Sequence, residues 1–156
     1  MENYEAFRDL MIEYDRVLDR LLVLENSKTG IISSGSTAGL DDCMRKEEAE
    51  MLRMKGLDRK REKLLKENGL EGKTFREIVD LQAAAQKSEL QPLCNQMQEK
   101  TERMQKLSAS ISSMMEARLV SIDRAIAASQ GGGNAYSRDG KRKDTEAVPR
   151  MRPTTV

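Results

Sequence analysis

Hydrophobic residues recur along the start of the chain with a seven-residue period. Phe7, Tyr14 and Leu21 are spaced by seven, and Leu10, Val17 and Leu24 repeat that spacing three residues later. Seven residues is close to two turns of an α-helix, so the two rows lie side by side as an a/d seam, which Met11 and Leu18 widen. The pattern predicts an amphipathic helix over residues 3–28, roughly 39 Å long at 1.5 Å per residue. Its apolar stripe requires a partner to cover it.

The stretch GIISSGSTAG at 30–39 is rich in Gly, Ser and Thr, whose backbone entropy and local hydrogen bonding oppose a helix, and it predicts a loop. Residues 41–68 read as a second helix. Two carboxylates, Asp41 and Asp42, suit its N-terminus, and Met44, Met51, Met54, Leu57, Leu64 and Leu65 supply one face. Gly56 inside it costs about 0.5–1 kcal/mol relative to Ala, and is expected to mark a close approach between helices. Asn68 and Gly69 predict a left-handed stop that returns Leu70 onto Leu65.

Thr74 and Glu77 have the spacing of a capping box, so a third helix starts there and runs through Ile78, Val79 and Leu81. A second start signal, Ser88 with Gln91, places Pro92 in a first turn and predicts a break or kink at that proline. Beyond it, Leu93, Met97, Met104, Leu107, Ile111, Met114, Met115, Leu119, Ile122 and Ile126 keep a three-four rhythm up to Ala128. This is the longest seam in the chain. From Gly131 onward three glycines, a polar run, Pro149 and Pro153 leave too little apolar surface to offset chain entropy. The expected fold is therefore all-α: an up-and-down antiparallel bundle or coiled coil of three to four long helices over residues 1–130, with a disordered C-terminal tail over 131–156.

Composition narrows the chemistry. Two Phe, three Tyr and no Trp stand against ten Met, which suits a thin, aliphatic and Met-filled bundle better than a sheet sandwich. The absence of His removes the side chain that titrates near neutrality and the usual imidazole metal ligand. No nucleophile–base pairing is recognisable, so no enzyme is expected. Glu47, Glu48 and Glu50 invite a carboxylate metal site, but without Glu-x-x-His partners they read as a solvated face paired with Arg45, Lys46 and Arg53. No metal and no cofactor is expected, and no phosphate-binding glycine motif is present.

A formal net charge of +1 gives no global field for a polyphosphate, and the basic residues Lys141, Arg142, Lys143, Arg150 and Arg152 lie in a tail with only Tyr136 among them, so nucleic acid is not the expected partner. The longest apolar runs, near 21–24 and 83–85, are far short of the roughly 18 residues a membrane span needs. The acidic, polar first ten residues do not read as a secretory signal, and Cys43 and Cys94, with no CxxC spacing, suit free thiols in a cytoplasmic protein.

The segment KGLDRKREKLLKENGLEGKTFREIV at 55–79 is more specific than periodicity alone. With the first amphipathic helix, the KEEAEML segment, the long last helix and the polar tail, it resembles the FlgN family of flagellar export chaperones over nearly the whole chain. In the tail, AYSRDGK resembles the family's Tyr-x-x-x-Gly element, here Tyr136 and Gly140. The resemblance implies a non-enzymatic protein that escorts hook-associated proteins of the hook–filament junction to the type III export gate, with Tyr136 and Gly140 docking the loaded chaperone there. The amphipathic terminal helices of such guests would lie on the seam that outlasts the shorter helices, with Met114, Met115, Leu119, Ile122 and Ile126 as apolar anchors. The alternative from another class is a structural coiled-coil protein that uses the same seams to homodimerise or scaffold.

Overall fold

The computed structural model describes Met1, residues 3–130, and the backbone of residues 135–136 and 142–143. Four helices follow one another: α1 (Tyr4–Ser33), α2 (Leu40–Glu67), α3 (Phe75–Asp80) and α4 (Ala84–Ser129). The chain divides into two units, Met1–Ile111 and Ser112–Val156, and α4 contributes to both.

In the first unit the direction of the helices is legible from the ion pairs between them. Lys28 meets Glu47, Arg20 meets Glu50 and Glu13 meets Lys60, so numbering falls on α1 as it rises on α2 and the two are antiparallel. Arg8 meets Glu89 and Asp15 meets Lys100, so α4 runs parallel to α1. Three long helices pass up, down and up, the architecture that the apolar periodicity predicts. Phe7, Met11, Leu21, Ile78, Val79 and Leu90 are the most deeply buried side chains of the shared core. Around Phe75 the core is aromatic: the ring centroids of Phe7 and Tyr14 lie 5.7 and 5.1 Å away, and the Arg61 guanidinium lies 5.3 Å from the Phe75 centroid.

Helix α1 continues past the expected stop at residue 28 and ends at Ser33, so only residues 34–39 form the loop. Asn26, Ser27 and Thr29 each donate a side-chain hydrogen bond to the carbonyl four residues back, and Ile32 is buried. Burial of Ile32 outweighs the helix cost of Gly30, on the order of 1 kcal/mol. The end of α2 follows its sequence signals. Gly69 is left-handed, the Leu70 amide donates to the Leu65 carbonyl at 2.8 Å and the Gly69 amide donates to Lys66 at 3.2 Å, the two bonds of a Schellman stop. Thr74 and Glu77 form the reciprocal capping box that starts α3.

The break expected at Pro92 lies instead at residues 81–83, and Pro92 sits inside α4. The turn is closed by its own chemistry: the Gln82 side chain donates to the Ile78 carbonyl at 2.8 Å, and Lys87 pairs with Asp80 at 2.7 Å. It allows wholly buried Ile78 and Val79 on α3 and buried Leu90, Cys94 and Met97 on α4 to reach one core. A proline in a helix interior costs about 3 kcal/mol, and burial on both sides of Pro92 is what offsets it. Cys43 and Cys94 are free and buried.

In the second unit α4 continues to Ser129. Ala135–Tyr136 pairs antiparallel with Arg142–Lys143, Ala135 opposite Lys143 and Tyr136 opposite Arg142. The rest of the tail expected at 131–156 lies outside the described residues.

Candidate protein-binding surface on the last helix

Residues 112–129 of α4 carry four large apolar side chains at 4-3-4 spacing, Met115, Leu119, Ile122 and Ile126. Steps of four, three and four residues average close to one helical turn each, so the side chains line up on one face along roughly 16 Å. They are 49%, 63%, 50% and 40% exposed. In the core of the first unit, residues of the same types are under a tenth exposed, so these four present apolar surface to solvent. Met114, expected as a fifth anchor, is only half-buried and sits a fraction of a turn to one side of the row. At the C-terminal end of the row the Ser129 hydroxyl and the Gln130 amide both donate to the Ile126 carbonyl, at 2.9 and 3.1 Å.

Burying four such side chains is worth about 1.5–3 kcal/mol each when complete. A row of this length on one helix face is matched in shape by the apolar stripe of another amphipathic helix. Of the two residues expected in the tail element, Tyr136 is described only by its backbone pairing with Arg142, and Gly140 lies outside the described residues.

The glutamates of α2 have a role that their sequence did not suggest. Glu50 is buried, with Arg20 at 2.9 Å and Arg53 at 3.0 Å, one guanidinium on each carboxylate oxygen. Glu47 receives Lys28 at 2.6 Å, and Lys28 also reaches buried Glu25 at 3.1 Å. Desolvation and the hydrogen bond shared with Glu47 raise the Glu25 carboxyl above the usual carboxylate range. Desolvation is the largest single influence on Glu47 and opposes its ionisation, but the bonds from Lys28 and Glu25 together with the Lys28 charge outweigh it and hold Glu47 low. Glu47 and Glu50 thus pin α2 to α1 rather than forming a merely solvated face. Among the described residues, no three His, Cys, Asp or Glu side chains come together as metal ligands, and no helix is long and apolar enough to cross a membrane.

The single face expected of α2 divides in the structure: Leu57, Leu64 and Leu65 are buried, whereas Met44 and Met51 are exposed, as is Leu52, to which the sequence assigns no role. Met44 and Met51 are seven apart, and a seven-residue row on a second face was the available signal.

A protein-family model described as FlgN protein matches residues 1–144. No curated protein and no solved structure matches the chain.

Proposed function

Because the chain belongs to the FlgN family, a family of flagellar export chaperones, we propose that it binds the amphipathic terminal helices of hook-associated proteins in the cytoplasm, prevents their premature self-association and delivers them to the type III export gate. The observation that carries this reading is the solvent-exposed row of Met115, Leu119, Ile122 and Ile126 on α4. A guest helix free in solution exposes a stripe of the same kind, and laying one stripe on the other removes both from water. The row contains two unbranched or γ-branched side chains, Met115 and Leu119, which adapt to different guests, and two β-branched ones, Ile122 and Ile126, which fix the seam.

Four anchors contribute at most about 6–12 kcal/mol before association entropy, on the order of 4–15 kcal/mol, is subtracted. A complex of modest affinity results, which suits handover without nucleotide hydrolysis in this protein. Met114 flanks the row as an adjustable edge. Docking on the gate is assigned to the tail element, Tyr136 with Gly140.

The test is co-expression with a hook-associated protein. Replacing Leu119 and Ile122 together by Glu is expected to abolish copurification of the guest while the far-ultraviolet circular dichroism of the chaperone is unchanged. Undiminished copurification by that variant rejects the reading. A wild-type chain that sediments as a self-assembled species and ignores the guest supports the scaffold instead.

A further inference from the structure

Gly56 lies in the middle of α2, and a Cβ added there would meet nothing within 4 Å. Its missing side chain therefore does not serve a close approach between helices, as its sequence suggested. It opens a groove of about 370 Å³ between α1 and α2. Buried Val17 and Leu57 form its apolar floor, and four cations, Arg16, Arg20, Arg53 and Lys60, stand around it with one carboxylate, Glu13.

The charges on this rim are not balanced. Arg20 and Arg53 share the single carboxylate of Glu50, which leaves an excess positive charge on the pair. Arg16 has no ion-pair partner among the described residues. Lys60 has Glu13 at 3.5 Å, a solvent-exposed pair of the kind that contributes little and opens readily.

We propose that this groove is a second protein-docking site that takes an acidic peptide segment carrying an aliphatic side chain. The aliphatic group fills the space over Gly56 against Val17 and Leu57, and the flanking carboxylates meet Arg16, Arg53 and Lys60. Guanidinium groups match carboxylates with paired hydrogen bonds, so the rim selects acidic residues as well as attracting them. The chain's own tail is the wrong occupant by charge: residues 131–156 hold six Lys and Arg (138, 141, 142, 143, 150, 152) against three Asp and Glu (139, 144, 146). A nucleic acid lacks the aliphatic group the floor accommodates, and the lining offers no aromatic ring for a base to stack on. The site lies wholly in the first unit and shares no residue with the row on residues 115–126.

The experiment uses the full chain and a dansyl-labelled peptide of Glu and Leu, followed by fluorescence anisotropy. Wild type is expected to bind the peptide and to lose affinity as salt rises. Gly56→Leu, which fills the groove from a position with room for a side chain, is expected to weaken binding by more than about tenfold with a melting temperature unchanged or raised. Arg16→Glu combined with Lys60→Glu is expected to weaken it comparably and to flatten the salt dependence, whereas Leu119→Glu with Ile122→Glu leaves it intact. The proposal is overturned if wild type does not bind the peptide, or if folded Gly56→Leu binds it as wild type does. It is equally overturned if a Gln/Leu peptide binds as tightly, if a single-stranded oligonucleotide displaces the peptide at equal charge concentration, or if the Leu119 and Ile122 changes abolish binding.

Discussion

Lys100 on α4 bonds to Asp15 on α1 with Nζ 2.7 Å from Oδ1, and the same ammonium lies 2.8 Å from Asp19. One cation thus holds two carboxylates a helical turn apart, and the Lys100 and Asp15 side chains are under one-fifth exposed. Desolvation disfavours the ammonium, but its bonds to Asp15 and Asp19 outweigh that, and its pKa is raised. A raised pKa means the contribution to stability is complete below the unfolded lysine value of 10.5 and is lost as pH climbs through the folded one. Lys100→Met is expected to destabilise the bundle by about 1–2 kcal/mol at pH 7, because two like charges then face each other without their cation. Thermal melts at pH 7 and in alkali check it: the gap between wild type and variant should narrow once the wild-type ammonium deprotonates.

Two glycines of α2 and its cap should respond to alanine with opposite sign. Gly69 has φ +65° in the Schellman stop, a region an L side chain adopts at a cost of about 1 kcal/mol, so Gly69→Ala is expected to destabilise by that amount. Gly56 is helical with open space where a Cβ would go, so Gly56→Ala is expected to stabilise by about 0.5–1 kcal/mol. Urea midpoints at constant m-value measure both. A destabilised Gly56→Ala would mean that the space above it is not open.

The contrast between these glycines also marks what a sequence can carry. The Gly69 stop and the Thr74 box were legible because a cap is local chemistry, settled by groups within five residues of one another. The α1 seam was legible because one helix period relates Phe7, Leu10, Tyr14, Val17 and Leu21. The continuation of α1 to Ser33 was hidden because it depends on burial of Ile32. The displaced break was hidden for a related reason: Pro92 is a strong local signal, and only the joint burial of Ile78, Val79 and Leu90 overrides it. On the exposed row, spacing told which residues share a face, but exposure depends on what the rest of the chain covers. The cationic groove was invisible because Arg16 and Arg20 meet Arg53 and Lys60 only through the register of two helices, and a net charge of +1 averages them away.

The buried carboxylate of Glu25 gives a pH signature. Its pKa is raised by desolvation and by the bond shared with Glu47, so its favourable contribution is complete below the unfolded value of 4.5 and is lost as pH rises through the folded one. Glu47 is the reverse: its lowered pKa contributes stability above 4.5 that is lost as pH falls. Glu25→Gln is therefore expected to raise the melting temperature at pH 7 and to converge on wild type in acid, whereas Glu47→Gln lowers it at pH 7. Melts across pH 3.5 to 7 separate the two, and a Glu25→Gln protein less stable than wild type at pH 7 contradicts the assignment.

Capture of a guest and docking on the export gate fall on different segments in the proposed function, and they should be separable by mutation. Tyr136 is the single aromatic residue between 131 and 156, and aromatic side chains supply a large share of binding energy at protein interfaces. Leu119 and Ile122 on α4 belong to the guest row instead. Tyr136→Ala is expected to weaken the affinity of the loaded complex for the isolated gate component by about tenfold or more, with guest copurification unchanged. The Leu119 and Ile122 changes should do the opposite, leaving the gate contact of the empty chaperone while removing the guest. Parallel pull-downs with guest and with gate resolve the four combinations, and a Tyr136→Ala chain that loses guest and gate together would show that the two tasks share one surface.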